Sequence, residues 1–384
     1  MQSPYFTQHH EDFRKRVRDF LEAEIAPHAA EWEEENGLPR SAWRLLGREG
    51  CLGLFHPRRA GGAEEDIFTS LVFLEELGRL GFGGVRAAVS VHAYMATHYL
   101  ARSGGAELQS EYLAPAVRGE RVAALAITEP NAGSDLSRLA TAADQDGDHF
   151  VVNGEKTMVS NGMVADFHVV AVRTAPSGPR PCGTTGLSLL LVDARLPGVS
   201  TAPVQTLGWR AAGTTTVTYD RVRVPGNRLI GKINSGFYQL MRGLQLERLV
   251  AATLALGGMD ACMDDLRGFL TQREVSSGPL ARMQVLAHRI ADLATELAAA
   301  RQLVHHTAWL FQEGEIPTTE CSMAKLYTTE LACRLAEASL QLQGAHGYLA
   351  SSAASRFYRD ARAATIAAGP SEVMRDLIGR AVLR

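Results

Sequence analysis

Apolar positions in the first third of the chain recur at three- and four-residue spacing: Phe13, Val17, Phe20 and Leu21, then Leu71, Leu74, Leu77 and Leu80. This is the period of an amphipathic helix, and it predicts a helical block from Glu11 to about Arg121. Between about Ala124 and Pro225 the texture changes to short β-rich runs: Phe150-Val151-Val152, His168 to Val172, Leu187 to Val192 and Thr214 to Val224. Asn153-Gly154, flanked by such runs, predicts a hairpin turn, and Pro176 to Thr185 reads as one exposed loop. After Gly231 the helical period returns, and Gln284 to Gly314 is free of Pro and internal Gly. The expected class is α+β in three parts: an all-helical N-terminal domain (1–122), a small central β-sheet or barrel domain (123–229) and a C-terminal four-helix bundle (230–384).

Composition narrows the function more than the fold. At 384 residues the chain has room for several cores. Lys plus Arg total 39 against 42 Asp plus Glu, with no clustering, so no electrostatic footprint for nucleic acid or an anionic membrane is present. The longest nearly unbroken apolar run, Leu249 to Gly258, is too short to span a bilayer. The segment Met1 to His10 lacks the pattern of a secretion signal, which makes a cytoplasmic address the default expectation. Cys51, Cys182, Cys262, Cys321 and Cys333 are widely separated and without a Cys-x-x-Cys pair, so reduced structural thiols are expected. The pairs His9-His10 and His305-His306 diverge on a helix and make poor metal sites; no metal is expected.

Two places carry chemistry. No Gly-x-Gly-x-x-Gly follows a strand, so a nucleotide cofactor would have to be held by something other than an ordinary dinucleotide-binding sheet. The segment Ala126 to Asp135, Ala-Ile-Thr-Glu-Pro-Asn-Ala-Gly-Ser-Asp, offers backbone N–H groups together with the hydroxyls of Thr128 and Ser134. Farther on, Leu244-Gln245-Leu246-Glu247-Arg248 places a carboxylate whose neighbours three and four residues away are Leu244, Val250, Gly243 and Ala251. With no cation at those positions, Glu247 is expected on an apolar face with a raised pKa.

The 126–135 segment closely resembles the flavin and thioester loop of the acyl-CoA dehydrogenase family. The resemblance extends through Ile25-Ala26-Pro27-His28, Gly154 to Gly162, Arg221 to Pro225 and Gln343 to Tyr348. It implies FAD as cofactor, contacted by Leu125, Ala126, Ile127, Thr128, Gly133 and Ser134, and by Met158, Val159 and Ser160, where the family often has Trp at the first of these. Family dimers complete each FAD site from the neighbouring subunit, which implies a homodimer or homotetramer with Arg273, Gln284, Gln341 and Gly344 reaching across. Ser371 and Glu372 also match cofactor positions. Two departures stand out: Val275-Ser276-Ser277 replaces the usual Gln-Phe-Gly, and Pro370 replaces a Thr.

The resemblance also implies the reaction. A carboxylate takes the α proton of an acyl thioester while the β hydrogen leaves as hydride to the flavin. Many family members carry that carboxylate in Ile-Tyr-Glu-Gly-Thr-Ser, but the corresponding residues here are Ile366-Ala367-Ala368-Gly369-Pro370-Ser371. The isovaleryl-CoA and long-chain branches lack that glutamate too and place the base on an earlier helix, in a motif that Glu247 matches. Ala368 and Gly369 keep a backbone role at the thioester carbonyl, and Ser134 lies near the thioester. Tyr238 matches a substrate-pocket tyrosine, with plain core packing the alternative, and Arg248 matches a residue near the pantetheine arm. Gln245 stands where the family commonly has Asp near that arm, which leaves coenzyme A and a carrier protein's phosphopantetheine both open. The implied electron acceptor is an electron-transfer flavoprotein. A same-fold oxidase or monooxygenase, and a binding or assembly protein that has lost catalysis, are the competing readings.

Overall fold

The computed structural model describes residues 4–174, 183–276 and 278–383. Cys182, Ser277 and most of the expected loop 176–185 lie outside the described residues.

The first block is helical throughout. Helix α1 (Gln8–Phe20) continues through a π-turn, Leu21–Ile25, into α2 (Ala26–Glu35), followed by α3 (Arg40–Arg48) and α4 (Ile67–Arg79). Helix α5 (Gly83–Ser90) passes through a second π-turn, Val91–Ala96, into α6 (Thr97–Ser103). The Thr97 hydroxyl donates to the His92 carbonyl at 2.6 Å, supplying a partner inside the widened turn. The short α7 (Ala106–Leu108) and α8 (Ala114–Val117) end the block.

Among the described residues eight strands follow: β1 (Ala123–Ala126), β2 (Ala142–Asp146), β3 (His149–Val159), β4 (Phe167–Arg173), β5 (Leu187–Asp193), β6 (Val199–Pro203), β7 (Thr215–Pro225) and β8 (Leu229–Ile230). Their order is β6-β7-β3-β2-β4-β5-β8, with β1 parallel to β4 at the helical side. Strand β4 is buried at every position. Phe167, Val169 and Ala171 face the helical block, while Val170 and Val172 face a second core with Phe150, Val152, Val217 and Val222. Two covered faces explain why β4 and β5 read as continuous apolar runs without alternation.

The expected hairpin at Asn153-Gly154 is not there. Strand β3 runs through both residues, and the β2–β3 turn falls at Asp146–His149. The dipeptide instead makes a bulge: Gly154 has φ +149°, and a Cβ there would lie 2.6 Å from the Thr141 hydroxyl. The Asn153 side chain accepts the Arg221 N–H at 2.8 Å, a bond to the neighbouring strand that a turn would not make.

The third block holds α9 (Gly236–Gln272), a two-stranded ladder of β9 (Glu274–Val275) and β10 (Gly278–Pro279), then α10 (Gln284–Gln312), α11 (Thr318–Leu342), α12 (Ala353–Ala364) and α13 (Ser371–Val382). Helix α4 packs along α9, so the first and third blocks share one core that includes Leu71, Phe73, Leu249, Leu256 and Leu335. Cys51, Cys262 and Cys321 are buried free thiols, and Cys333 is half-buried. His10 turns inward to Asp66 and His305 to Glu75. Among the described residues no helix is long and apolar enough to cross a membrane.

Candidate active site

Glu247 sits in the fourth turn of α9 and is 4% exposed. Burial pushes its carboxyl up from the ordinary 4.5 to about 7, against a phenol hydrogen bond and the Arg248 charge, both of which lower it. The phenol is Tyr99 of α6, whose O–H donates to Oε1 of Glu247 at 2.9 Å. No ion pair reaches Glu247 among the described residues. The approach of Tyr99 depends on Gly243, one turn before Glu247: a Cβ there would lie 2.4 Å from the Tyr99 oxygen. Gly243 shares the interior of α9 with Gly257, Gly258 and Gly268, so the sequence did not single out this contact. Tyr99 itself is buried, and its phenol is raised well above 10, chiefly by burial, so it acts as a donor.

Arg248, the next residue, is also buried. Its Nη1 donates to Gln245 Oε1 at 3.1 Å, while its Nε is buried without a partner among the described residues. Gln245 donates back to the Met241 carbonyl. Three of the residues singled out from sequence therefore share one stretch of α9. Tyr238, by contrast, is 74% exposed and meets Phe237 edge-on at 5.9 Å.

The 126–134 loop is tied to β3. The Thr157 N–H donates to the Thr128 carbonyl at 2.9 Å, which sets Thr128 beside Met158, Val159 and Ser160. Leu125 and Ile127 pack on the cluster that contains Tyr99 and Leu240, and this joins the loop to the first turns of α9. Gly133 and Ser134 are exposed, Val159 is buried, and Met158, with φ +57°, leaves its side chain 54% exposed. Beneath the loop lies a buried pair that sequence reasoning missed. Lys156 Nζ donates to Glu129 Oε1 at 2.8 Å and to the Ile127 carbonyl at 2.9 Å, and Glu129 also accepts the N–H groups of Ala140 and Thr141.

The last turn before α13 carries successive left-handed residues, Ala368 at φ +54° and Gly369 at φ +99°. Lys325 of α11, wholly buried, donates to the Gly369 carbonyl at 2.7 Å. Ser371 follows as a buried residue and Glu372 as an exposed one. Arg273, Gln284, Gln341 and Gly344 are all exposed. Phe269 meets His346 at 5.8 Å, and Gln343 bonds Asp265, which gathers the ends of α9 and α11. Glu247 lies about 39 Å from Arg273 along the α9 axis at roughly 1.5 Å per residue.

Three family profiles account for this architecture: the N-terminal, middle and C-terminal domains of acyl-CoA dehydrogenase match residues 7–120, 124–222 and 234–383. The chain belongs to the acyl-CoA dehydrogenase family, a class of FAD-dependent oxidoreductases. It is 34% identical to isovaleryl-CoA dehydrogenase from Pongo abelii over 96% of its own length and 87% of the relative's. It is 32% identical to the long-chain specific acyl-CoA dehydrogenase of Sus scrofa, covering 98% of this chain and 87% of that one. A crystal structure of acyl-CoA dehydrogenase from Geobacillus kaustophilus superposes with a TM-score of 0.95 at 36% identity, covering 99% and 100% of the two chains. The residues present fit the cofactor on an independent observation. The Ser371 hydroxyl, in a residue 6% exposed, has no partner among the described residues. Ser371 lines a cavity of about 370 Å³ that also holds the guanidinium groups of Arg334 and Arg362 and the carboxylates of Glu330 and Glu372, so its free hydroxyl is a donor open to a polar ligand there.

Proposed function

We propose that the protein dehydrogenates an acyl-coenzyme A thioester between its α and β carbons, with Glu247 as the base. The observation that carries this reading is the combination at Glu247: a buried carboxylate poised near neutrality, oriented by Tyr99 and free of an ion pair among the described residues. A base with that pKa is half ionised near pH 7, and its proton affinity is high enough to take a proton from carbon acidified by a neighbouring thioester.

In this mechanism the Ala368 N–H donates to the thioester carbonyl and makes the α proton acidic. Glu247 removes that proton, and Tyr99 holds the carboxylate in one rotamer. Bound FAD supplies the acceptor for the β hydride. Leu125, Ala126, Ile127, Thr128, Gly133, Ser134, Met158, Val159, Ser160, Ser371 and Glu372 hold the cofactor, and Ser134, Tyr238, Gln245, Arg248 and Gly369 bind the substrate. The exposed Arg273, at the far end of α9 from the base of its own chain, and the exposed Gln284, Gln341 and Gly344 serve the cofactor of a second subunit in a homodimer or homotetramer. Domain limits at 122/123 and 229/230 belong to the same reading, as does an electron-transfer flavoprotein as acceptor. The absence of a glutamate at Ala368 and the similarity to isovaleryl-CoA and long-chain dehydrogenases favour branched or long acyl groups.

The test is an anaerobic flavin spectrum taken during titration with straight-chain, branched and carrier-protein thioesters. Bleaching by a coenzyme A thioester supports the proposal. Failure of every thioester to bleach the bound flavin overturns it, and bleaching by carrier-protein thioesters alone would reassign the substrate.

A further inference from the structure

Lys325 has no role in the reaction described so far, and its environment is costly. Its side chain is completely buried on α11. Among the described residues its single hydrogen-bond acceptor is the Gly369 carbonyl, at 2.7 Å, and it makes no ion pair. Burial, and after it the Arg248 charge, lowers its ammonium to about 8, and only Glu330 and Glu372 among nearby carboxylates oppose this. A buried ammonium without a carboxylate is a net loss of stability unless the bond it makes is needed. The bond it makes is to the one turn among the described residues where two successive residues, Ala368 and Gly369, both have positive φ. Alanine adopts that conformation only at a cost, so something must hold it.

The rest of the turn is anchored on its helical sides. Ala367 N–H donates to the Ala363 carbonyl, and Ser371 N–H donates back to the Thr365 carbonyl. Between these two anchors the Gly369 carbonyl is the point that Lys325 fixes. Lys325 also lies within the field of Arg248, which is adjacent to Glu247, so the turn is clamped from the side of the bundle that carries the base.

We propose that Lys325 is a positioning residue for the thioester carbonyl: by gripping the Gly369 carbonyl, it holds Ala368 in the left-handed conformation that aims its N–H into the active site. The proposal rests on Ala368 serving as carbonyl donor and Glu247 as base. Lys325 touches neither substrate nor cofactor in this scheme, and its effect is confined to ligands that carry a carbonyl.

The experiment uses the FAD-loaded Glu247→Gln protein, which keeps a thioester unreacted, with and without Lys325→Met or Lys325→Gln. Binding is read from the flavin absorbance change for matched pairs that differ only in the carbonyl: butyryl-, octanoyl- and palmitoyl-coenzyme A against S-butyl-, S-octyl- and S-hexadecyl-coenzyme A. The expected result is that Glu247→Gln prefers the thioester, that Lys325→Met reduces this preference about tenfold while leaving thioether affinity unchanged, and that Lys325→Gln, which retains a donor, restores part of it. Full retention of the preference in both lysine variants overturns the role of Lys325 alone. A Glu247→Gln protein without any preference removes Ala368 as the donor, and the proposal falls with it; flavin bleaching in that protein removes Glu247 as the base. Should the methionine variant fail to load FAD, the glutamine variant decides by the same ratio.

Discussion

Two buried lysines hold the two sides of this site, and they do so differently. Lys156 fastens the 127–134 loop through a carboxylate, Glu129, that itself accepts two backbone N–H groups. Lys325 fastens the 368–369 turn with a carbonyl as its one acceptor among the described residues, close to Arg248 and in the same bundle as the isolated carboxylate Glu247. Burial pulls both ammonium groups down to about 8. The side proposed to hold the flavin is thus built from satisfied charge, which holds a loop still. The side proposed for proton transfer carries hydrogen-bonded but unpaired charge, which destabilises the fold and, in the proposed mechanism, tunes reactivity.

If that contrast is correct, removing charge should have opposite effects on the two sides. The largest loss is expected for Glu129→Gln, which strands the Lys156 ammonium: about 3–5 kcal/mol by denaturant titration, accompanied by weaker FAD retention. On the other side, Glu247→Gln should stabilise. The folded-state pKa near 7 lies above the unfolded value of 4.5, so the native protein binds this proton more tightly, and stability is lost as pH rises from about 4.5 through 7. At pH 8 the glutamine variant should exceed the parent by on the order of 3 kcal/mol, and at pH 4.5 the two should converge; unfolding midpoints at the two pH values check this. Gly243→Ala should cost about 1–3 kcal/mol, because the new methyl displaces Tyr99. Tyr99→Phe is the mildest change. It removes a hydrogen bond that lowers the Glu247 pKa, so the rise of flavin reduction with pH should move to higher pH, with the protein remaining folded.

The block order of helices, sheet and helices was legible because each block keeps its own period over many residues, and the apolar faces of α4 and the runs of β4 and β5 reflect burial directly. The burial of Glu247 and its raised pKa were legible because helical spacing reports its local neighbours. Tyr99 was not, since it reaches Glu247 across 148 positions of sequence and helix periodicity carries no information about which distant ring meets which carboxylate. Glu129, Lys156 and Lys325 carried no sequence signal of their own, because burial of a charge is decided by tertiary partners rather than by the residues beside it. Asn153-Gly154 misled for a related reason: a glycine serves a bulge as readily as a two-residue turn, and the pairing of β3 with β7 selected the bulge.

The claim on which the site depends is that Glu247 is the base. The most direct measurement is the anaerobic rate of flavin reduction at pH 8 by the thioester that bleaches the parent protein, compared with Glu247→Gln loaded with FAD. A fall of about 10²–10⁴-fold with thioester binding retained is the predicted result. Reduction at an undiminished rate would contradict it and return the proton-abstracting group to an unidentified residue.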